Sequence, residues 1–382
     1  MADTPRFALI APNYHPLTCG VGDNTMRLGA ELLRRGHPAV VFTHAPALPH
    51  PEAPELPVRA IPDEGPLAVA AALAREITPG EFSHAVIEYT PRMWGASRFG
   101  SAALPLLAAS LARQGIRVAA ILHEVYAPLR ARPDIAVTGL LLRLQCAALV
   151  RSCDPIYLTT DSRRRQLAPL ITALSPPRTL ATFRIGAGAL PQPAAPVPGK
   201  LRVGLFSTLS VGKALDVVVD AFEKIAALHP EAELLLLGDL GRPGNPALTA
   251  LETQIAATGV GSRVHLPGRL PLPDVARLVA SLNLYLFPMD TGANTRSSTL
   301  PLALGAGVPV VAIKGPETDA LFEHGRNVWF ADDLSGPAFA RAALAVIGDQ
   351  DLTTRLATGG QALYREHLAW ERVGDSFLQT VG

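Results

Sequence analysis

Three observations predict an α/β protein built from two doubly wound, Rossmann-like domains. Short continuous apolar runs alternate with longer runs of helical periodicity along most of the chain, the pattern of strands covered on both faces by helices. The alternation is interrupted once, at Pro191-Gln-Pro-Ala-Ala-Pro-Val-Pro-Gly199, where four prolines in nine residues leave no room for a helix or a central strand. It then restarts. A length of 382 residues fits two or three domains at roughly 150 residues each. The expected division is therefore 1–190, a linker at 191–200, and 201–370. Two βα series joined by a hinge should face each other, and the cleft between them is the default site.

In the first series, Phe7 to Ala11 is an apolar run stopped by Pro12, the mark of a buried strand. Cys19-Gly-Val-Gly-Asp23 then makes a glycine turn, and Leu28, Gly29, Leu32 and Leu33 share one face of a helix that ends at Gly36. Pro38 to Thr43 is the second strand. Gly20 and Gly22 would let backbone approach a ligand, although Met26 breaks the dinucleotide fingerprint and a purely structural turn fits the same residues. His44 to Pro66, rich in proline and without periodicity, is expected to be a surface excursion. His84 to Glu88 and Val118 to Leu122 are further strands, and they end in Glu88-Tyr89 and His123-Glu124. Strand ends line the cleft of a doubly wound sheet, so these ionisable residues are candidates for function as well as for hydrogen-bonded loop positions. Ala136 to Cys153 is a buried helix, Ile156 to Thr159 a strand, and Asp161 caps a helix whose Arg163-Arg-Arg165 is a solvated face or a contact for lipid phosphates.

The second series runs Leu201 to Phe206 (strand), Ala214 to Leu228 (helix), Ala232 to Leu237 (strand), Pro246 to Thr258 (helix), Val264 to Leu266 (strand) and Leu272 to Ser281 (helix). Next come a strand at Leu284 to Phe287, a polar loop, a short helix from Leu300 to Ala306 stopped at Gly307, and a strand at Val308 to Ala312. The loop, Asp290-Thr-Gly-Ala-Asn-Thr-Arg-Ser-Ser-Thr299, has hydroxyls and one guanidinium but almost nothing that could fill a core. A loop at the carboxyl end of a strand that opens a helix suits an anion such as a phosphate, with Arg296 able to fork onto its oxygens. A capped surface loop has the same composition. Lys213 lies after the first strand of this series, on the same sheet edge, so two cations would meet the charge of a departing diphosphate. The tail from Asp351 is helical, with Trp370 near a break.

Composition narrows the class. Hydrophobic residues make up 48% and charged residues 18%, which excludes a disordered chain, and a net charge of +1 offers no global field for nucleic acid. Cys19, Cys146 and Cys153 are too few and too scattered for a disulfide framework or a zinc site, which fits a reducing cytoplasm. The first residues lack the apolar core of a signal peptide, and no run reaches the roughly 20 apolar residues of a membrane span.

The residues then show a resemblance. Cys19-Gly-Val-Gly-Asp23 with Arg35-Gly-His37, Leu122-His-Glu124, Lys213, Leu237-Gly-Asp239, Phe287-Pro288, Ala306-Gly-Val-Pro-Val-Val311 and Ala369-Trp-Glu371 follow one another as in the family 4 glycosyltransferases of the GT-B fold, which the chain resembles along nearly its whole length. The resemblance implies two Rossmann-like domains facing across a cleft, with the acceptor on 1–190, the nucleotide sugar on 201–370, and helix 371–382 packing back on the first domain. It implies a retaining, metal-independent, hexosyltransferase-like enzyme that needs no cofactor and uses a nucleotide diphosphate sugar. Carried over by position, Gly20 and Gly22 approach the donor phosphates and His123 sits by the transferred sugar. Lys213 neutralises the diphosphate, the amides of Ser297, Ser298 and Thr299 cradle it, and Thr208, Asn294 and Thr295 complete the donor side. Glu88, Tyr89 and Glu124 fall on the acceptor side. The one Asp-x-Asp, Asp349-Gln-Asp351, is explained by helix capping and not by a metal.

Two departures stand out. The family's glutamate pair is replaced by Asn294 and Leu302, and Thr208 stands where an Arg or Lys usually precedes the lysine by five residues. Arg296 would supply that missing charge, as in a bacterial branch with a Gly-x-Ser/Thr-x-Arg type of loop. The function implied is sugar transfer to a glycan, a glycolipid or other lipid-linked acceptor, or a small molecule. The alternatives are a nucleotide-sugar epimerase of the same fold, using Glu88 and His123 as acid and base, and a non-catalytic relative that binds a glycan or partner. The expected location is the cytoplasm, with peripheral contact at the inner membrane face left open by Arg163 to Arg165 and the apolar helices of the first domain.

Overall fold

The computed structural model describes residues 4–17, 19–44, 46–91, 93–94, 100–126, 133–174, 176–208, 213–239 and 245–382. Gly212, the residue before Lys213, lies outside them. The chain forms two compact units, one comprising Met1–Arg184 with Val373–Gly382 and the other Ile185–Arg372.

The first unit contains β1 (Phe7–Ile10), α1 (Gly20–Arg34), β2 (Ala39–His44), β3 (Val58–Ile61), α2 (Pro66–Glu76), β4 (His84–Tyr89), α3 (Leu104–Arg113), β5 (Arg117–Leu122), α4 (Pro133–Arg151), β6 (Ile156–Leu158), α5 (Asp161–Thr172) and β7 (Leu180–Thr182). Among the described residues its strands form one sheet in the order β3-β2-β1-β4-β5-β6-β7, every pair parallel. Every residue of β1 and β4 is buried, as a sheet covered by helices on both faces requires. The surface excursion expected at 44–66 is corrected: it contains β3, a four-residue edge strand that pairs with β2 from Val41↔Val58 to His44↔Ile61. The cap of α5 is Thr160, whose side chain accepts from the Arg163 N–H, and not Asp161.

The second unit contains β8 (Leu201–Phe206), α6 (Leu215–Leu228), β9 (Ala232–Leu237), α7 (Pro246–Ala257), β10 (Val264–His265), α8 (Leu272–Ala280), β11 (Leu284–Phe287), α9 (Leu300–Ala306), β12 (Val310–Ile313), β13 (Trp329–Ala331), α10 (Gly336–Ile347) and α11 (Gln350–Leu363). Among the described residues its sheet is parallel with order β10-β9-β8-β11-β12-β13. The proline-rich stretch lies on this unit, with the Ala194 N–H donating to Ala306 O and the Ala195 N–H to Ala280 O, both within 2.8 Å. Asp349 caps α11 by accepting from the Leu352 N–H at 2.9 Å, which accounts for the Asp-x-Asp.

One turn of π-helix, Tyr364–Leu368, precedes α12 (Trp370–Val381), and from Val373 this helix counts with the first unit. There Phe377 stacks on Tyr157 at 5.4 Å between centroids, and Arg35 pairs with Asp375 at 2.5 Å. A Cβ at Gly374 would lie 2.7 Å from Glu31 Cγ, so a larger residue there would displace that side chain.

Candidate functional site

In the second sheet the chain leaves β8 in one direction along the sheet and returns on the other side at β11. That reversal opens a crevice at the carboxyl ends of the two strands, where ligands bind in doubly wound sheets. Lys213 follows β8 at the entry to α6, and the loop carrying Asp290 and Arg296 follows β11. Lys213 is half-buried. Burial first, and the Arg296 charge second, push its pKa below the ordinary lysine value, while Asp290 acts in the opposite sense. The Arg296 guanidinium thus disfavours the Lys213 charge, and an anion bound beside the two would relieve that repulsion. Beside Lys213 a recess of about 440 Å³ opens between α6, α7 and Asp290. Ala214, next to Lys213, holds φ 40°, a left-handed conformation rare for a residue with a Cβ.

The polar loop is held by its own buried side chains. Asn294, 1% exposed, donates through Nδ2 to Gly292 O at 2.9 Å and accepts from the Arg296 N–H at 3.2 Å, so it braces the backbone that carries Arg296. Thr295 is also buried, and both its N–H and its hydroxyl donate to Asp319 Oδ2 at 2.7 Å. Ser297 and Thr299 exchange a hydroxyl contact at 3.0 Å, and the Ser298 carbonyl accepts from the Gly188 N–H. Gly292 has φ 88°, and a Cβ there would lie 2.4 Å from Gly315 N. Tyr285, fully buried in β11, ties the loop to β8: its hydroxyl lies 3.1 Å from Phe206 N and 3.0 Å from Phe206 O, and it also bonds the Thr299 side chain. Thr208 is exposed beyond β8, and Leu302 is in the core.

At the carboxyl edge of the first sheet, Glu88 and His123 meet. Their side chains are 2.6 Å apart, from Oε2 to Nε2, and both residues are buried. The parallel register that sets Tyr89 beside Leu122 brings the following His123 to the end of β4. Arg163, expected on a solvated face, instead turns inward and donates to the His123 carbonyl, while Arg164 and Arg165 are exposed. Tyr89 is corrected as an acceptor-side residue: it is fully buried, and its hydroxyl accepts from Gln145 Nε2 at 3.1 Å. Glu124 is exposed. Gly22 owes its identity to packing, because a Cβ would lie 2.7 Å from the Asn13 carbonyl oxygen, whereas a Cβ on exposed Gly20 would meet nothing within 4 Å.

The residues that sequence reasoning missed are Asp319, Tyr285, Asn24 and Thr25. Asp319 stands alone in a loop and Tyr285 inside an apolar strand, so neither carries a local signal. Among the described residues no group of three or more His, Cys, Asp or Glu could hold a metal ion.

Two doubly wound parallel-sheet units define an α/β protein of the GT-B fold. Residues 200–349, the segment that carries Lys213 and Arg296, match the family model described as glycosyl transferases group 1. Among solved structures, the chain is similar to sucrose-phosphate synthase from Thermosynechococcus elongatus, at 15% identity and TM-score 0.74, covering 98% of each chain. It is similar to HepE from Anabaena in complex with UDP and glucose, at 18% identity and TM-score 0.74, covering 99% of each. A glycosyltransferase from Rickettsia africae follows at 12% identity and TM-score 0.72, covering 99% of this chain and 98% of that one. No curated protein matches the sequence.

Proposed function

We propose that the chain is a retaining glycosyltransferase of family 4 that uses a nucleotide diphosphate sugar. The observation that supports this most is the Lys213 and Arg296 pair at the strand reversal of the second sheet, inside the segment of glycosyl transferase group 1 type. The pair would hold the diphosphate and stabilise the charge that develops on it as it leaves, without a metal. Arg296 takes the place of the cation missing at Thr208. In the step proposed, the acceptor oxygen bonds to the anomeric carbon on the face from which the phosphate departs. The carbon–phosphate oxygen bond breaks, and the acceptor's proton passes to the departing phosphate. The acceptor is a hydroxyl compound of glycan, glycolipid or small-molecule type.

The test is incubation with UDP-, GDP-, ADP- and dTDP-sugars, with and without a chelator. Slow release of the nucleotide diphosphate, unaffected by the chelator and lost in Lys213→Ala, is expected, together with an α-linked product from an α-linked donor. No turnover with any donor would overturn the reading. The bonded Glu88 and His123 pair keeps the epimerase reading in play, and a product changed only at C2 would establish it.

Location at the cytoplasmic face of a membrane belongs to the same proposal. Val137, Leu140, Leu141 and Leu144 are exposed along one stripe of α4, whose described basic residues are Arg143 and Arg151. Among the described residues no helix is long and apolar enough to cross a membrane. Co-sedimentation with anionic vesicles, lost in Leu140→Ser/Leu144→Ser, is the expected result; unchanged co-sedimentation would remove the stripe from the proposal.

A further inference from the structure

Glu88, with its hydrogen-bonded partners Asn24, Thr25 and His123, lies at the carboxyl edge of the first sheet. The amino edge of the same sheet carries a recess of about 640 Å³ that the proposed sugar transfer does not use. Four arginines line it, delivered by four separate segments. Arg113 ends α3, Arg117 begins β5, Arg151 ends α4, and Arg178 lies in the loop before β7. A basic residue in the last turn of a helix offsets the helix dipole and needs no ligand, which accounts for Arg113 and Arg151 taken singly. Arg117 and Arg178 stand on a strand and in a loop, so the dipole does not account for them.

Among the described residues none of the four pairs with a carboxylate. Their bonds go to carbonyl oxygens: Arg113 Nε donates to Ala109 O at 3.2 Å, Arg117 Nη1 to Gly382 O at 2.9 Å and Arg178 Nη2 to Arg151 O at 2.5 Å. The last of these brings two of the basic residues together. A guanidinium has five N–H donors, so one bond apiece leaves most of them for a ligand, and Arg178 Nε is buried with no partner among the described residues. Asp154 is the one carboxylate side chain in the lining, and its Oδ1 already accepts from the Thr179 N–H at 2.9 Å. The chain as a whole has a net charge of only +1, so this is a local concentration of positive charge. Ala109, Ala112, Pro155 and Val381 add an apolar wall.

We propose that this recess binds an organic phosphate carrying two phosphoryl groups, at a site separate from the one beside Lys213. Phosphate oxygens match the guanidinium fork two at a time. Each phosphoryl group brings about −1.5 to −2 charge at pH 7, so two of them balance four arginines set against one aspartate. The apolar wall takes the carbon skeleton between them. The assignment does not depend on the transferase reading.

Equilibrium dialysis of the full chain carrying Lys213→Met, with radiolabelled fructose 1,6-bisphosphate as the probe, tests this in a background that lacks a cation of the other site. One bisphosphate per chain is expected, held less tightly as sodium chloride rises. Arg113 and Arg151 are exposed, and their side chains make no bond outside their own helices among the described residues. Arg113→Gln/Arg151→Gln should therefore fold, as circular dichroism would show, and bind the probe about tenfold or more weakly, the effect of losing charged hydrogen bonds. Either single variant replaces the pair if it fails to fold. UDP should not displace the probe. Phosphatidylcholine vesicles with and without phosphatidylinositol 4-phosphate separate the two sources of such a group. Bisphosphate binding with no gain on the phosphoinositide vesicles identifies a soluble ligand. Sedimentation with those vesicles that the bisphosphate competes, and that the arginine variants lose, identifies a lipid headgroup. Binding to neither probe, binding indifferent to the arginine variants, or full displacement by UDP would overturn the site. Lys213→Met should abolish UDP binding and leave this site intact, so failure of the transferase reading is distinguishable from failure of this one.

Discussion

Asp319 is a buried anchor of the loop from Asp290 to Thr299. It is 1% exposed, and its Oδ2 accepts from both the N–H and the hydroxyl of Thr295 at 2.7 Å. Hydrogen bonds to a charged group contribute about 1.5–3 kcal/mol each. Asp319→Ala strips both from the buried Thr295, so a loss of about 3 kcal/mol or more is expected from the second unit. For a unit of this size each kcal/mol moves the melting temperature by about 2–4 °C, which puts the variant's transition roughly 6–12 °C lower. Asp319→Asn keeps the shape and one accepting oxygen, and should cost about 1 kcal/mol. Because Thr295 adjoins Arg296, the loosened loop should also lose UDP affinity in the order Ala beyond Asn. Calorimetry of the full chain and titration with UDP read the two effects. An Asp319→Ala transition within about 2 °C of wild type, with UDP affinity intact, would refute the claim that this contact holds the loop.

Other expectations follow from single residues. Gly22→Ala drives a Cβ to 2.7 Å from the Asn13 carbonyl and should destabilise the first unit by about 1–3 kcal/mol, whereas Gly20→Ala, with nothing within 4 Å, should stay within about 0.5 kcal/mol in denaturant titration. Arg296→Ala should lower turnover more than it lowers binding of an uncharged sugar, as steady-state kinetics with competing methyl glycosides would show. The depressed Lys213 pKa means that its charge, and UDP affinity with it, should be lost as pH rises, starting below the ordinary 10.5; calorimetric titration at several alkaline pH values reads this, and Lys213→Met should abolish it. His84 is held at about 4 against an ordinary 6.5, chiefly by burial and then by the Arg117 and His37 charges. Below pH 6.5 the unfolded chain therefore takes up a proton that the folded chain refuses, and stability falls until about pH 4, by about 3 kcal/mol in all. Acid denaturation of His84→Phe should lack this component.

Much of the second unit was legible because its strands are continuous apolar runs with sharp stops. β8, β9, β11 and α9 have the bounds that the residues alone give. β3 was hidden because a four-residue edge strand among prolines is only partly buried and shows neither alternation nor an apolar run. The Lys213 and Arg296 pairing could be anticipated, since the ends of strands 8 and 11 become neighbours once the sheet is doubly wound. Glu88 and His123 were visible for the same reason, as ionisable residues just where buried strands stop. Tyr89 was misplaced because a strand buried on both faces has no polar alternation, so its sequence does not tell which of two adjacent side chains enters the core.

The supporting residues follow a different rule. Asp319 is 24 positions from Thr295, and Asn24 is 64 positions from Glu88. Each is a small polar residue that would be ordinary in a turn or at a helix start, and it acquires its role only when the chain folds back onto a strand end. A strand end advertises itself because apolar character stops there abruptly. The groups that orient its side chains do not, because nothing in their own neighbourhood distinguishes a buried partner from a solvated cap. For a doubly wound sheet, then, sequence finds the candidates at strand ends sooner than the residues that hold them still. The second set is where the variants proposed for Asp319 act.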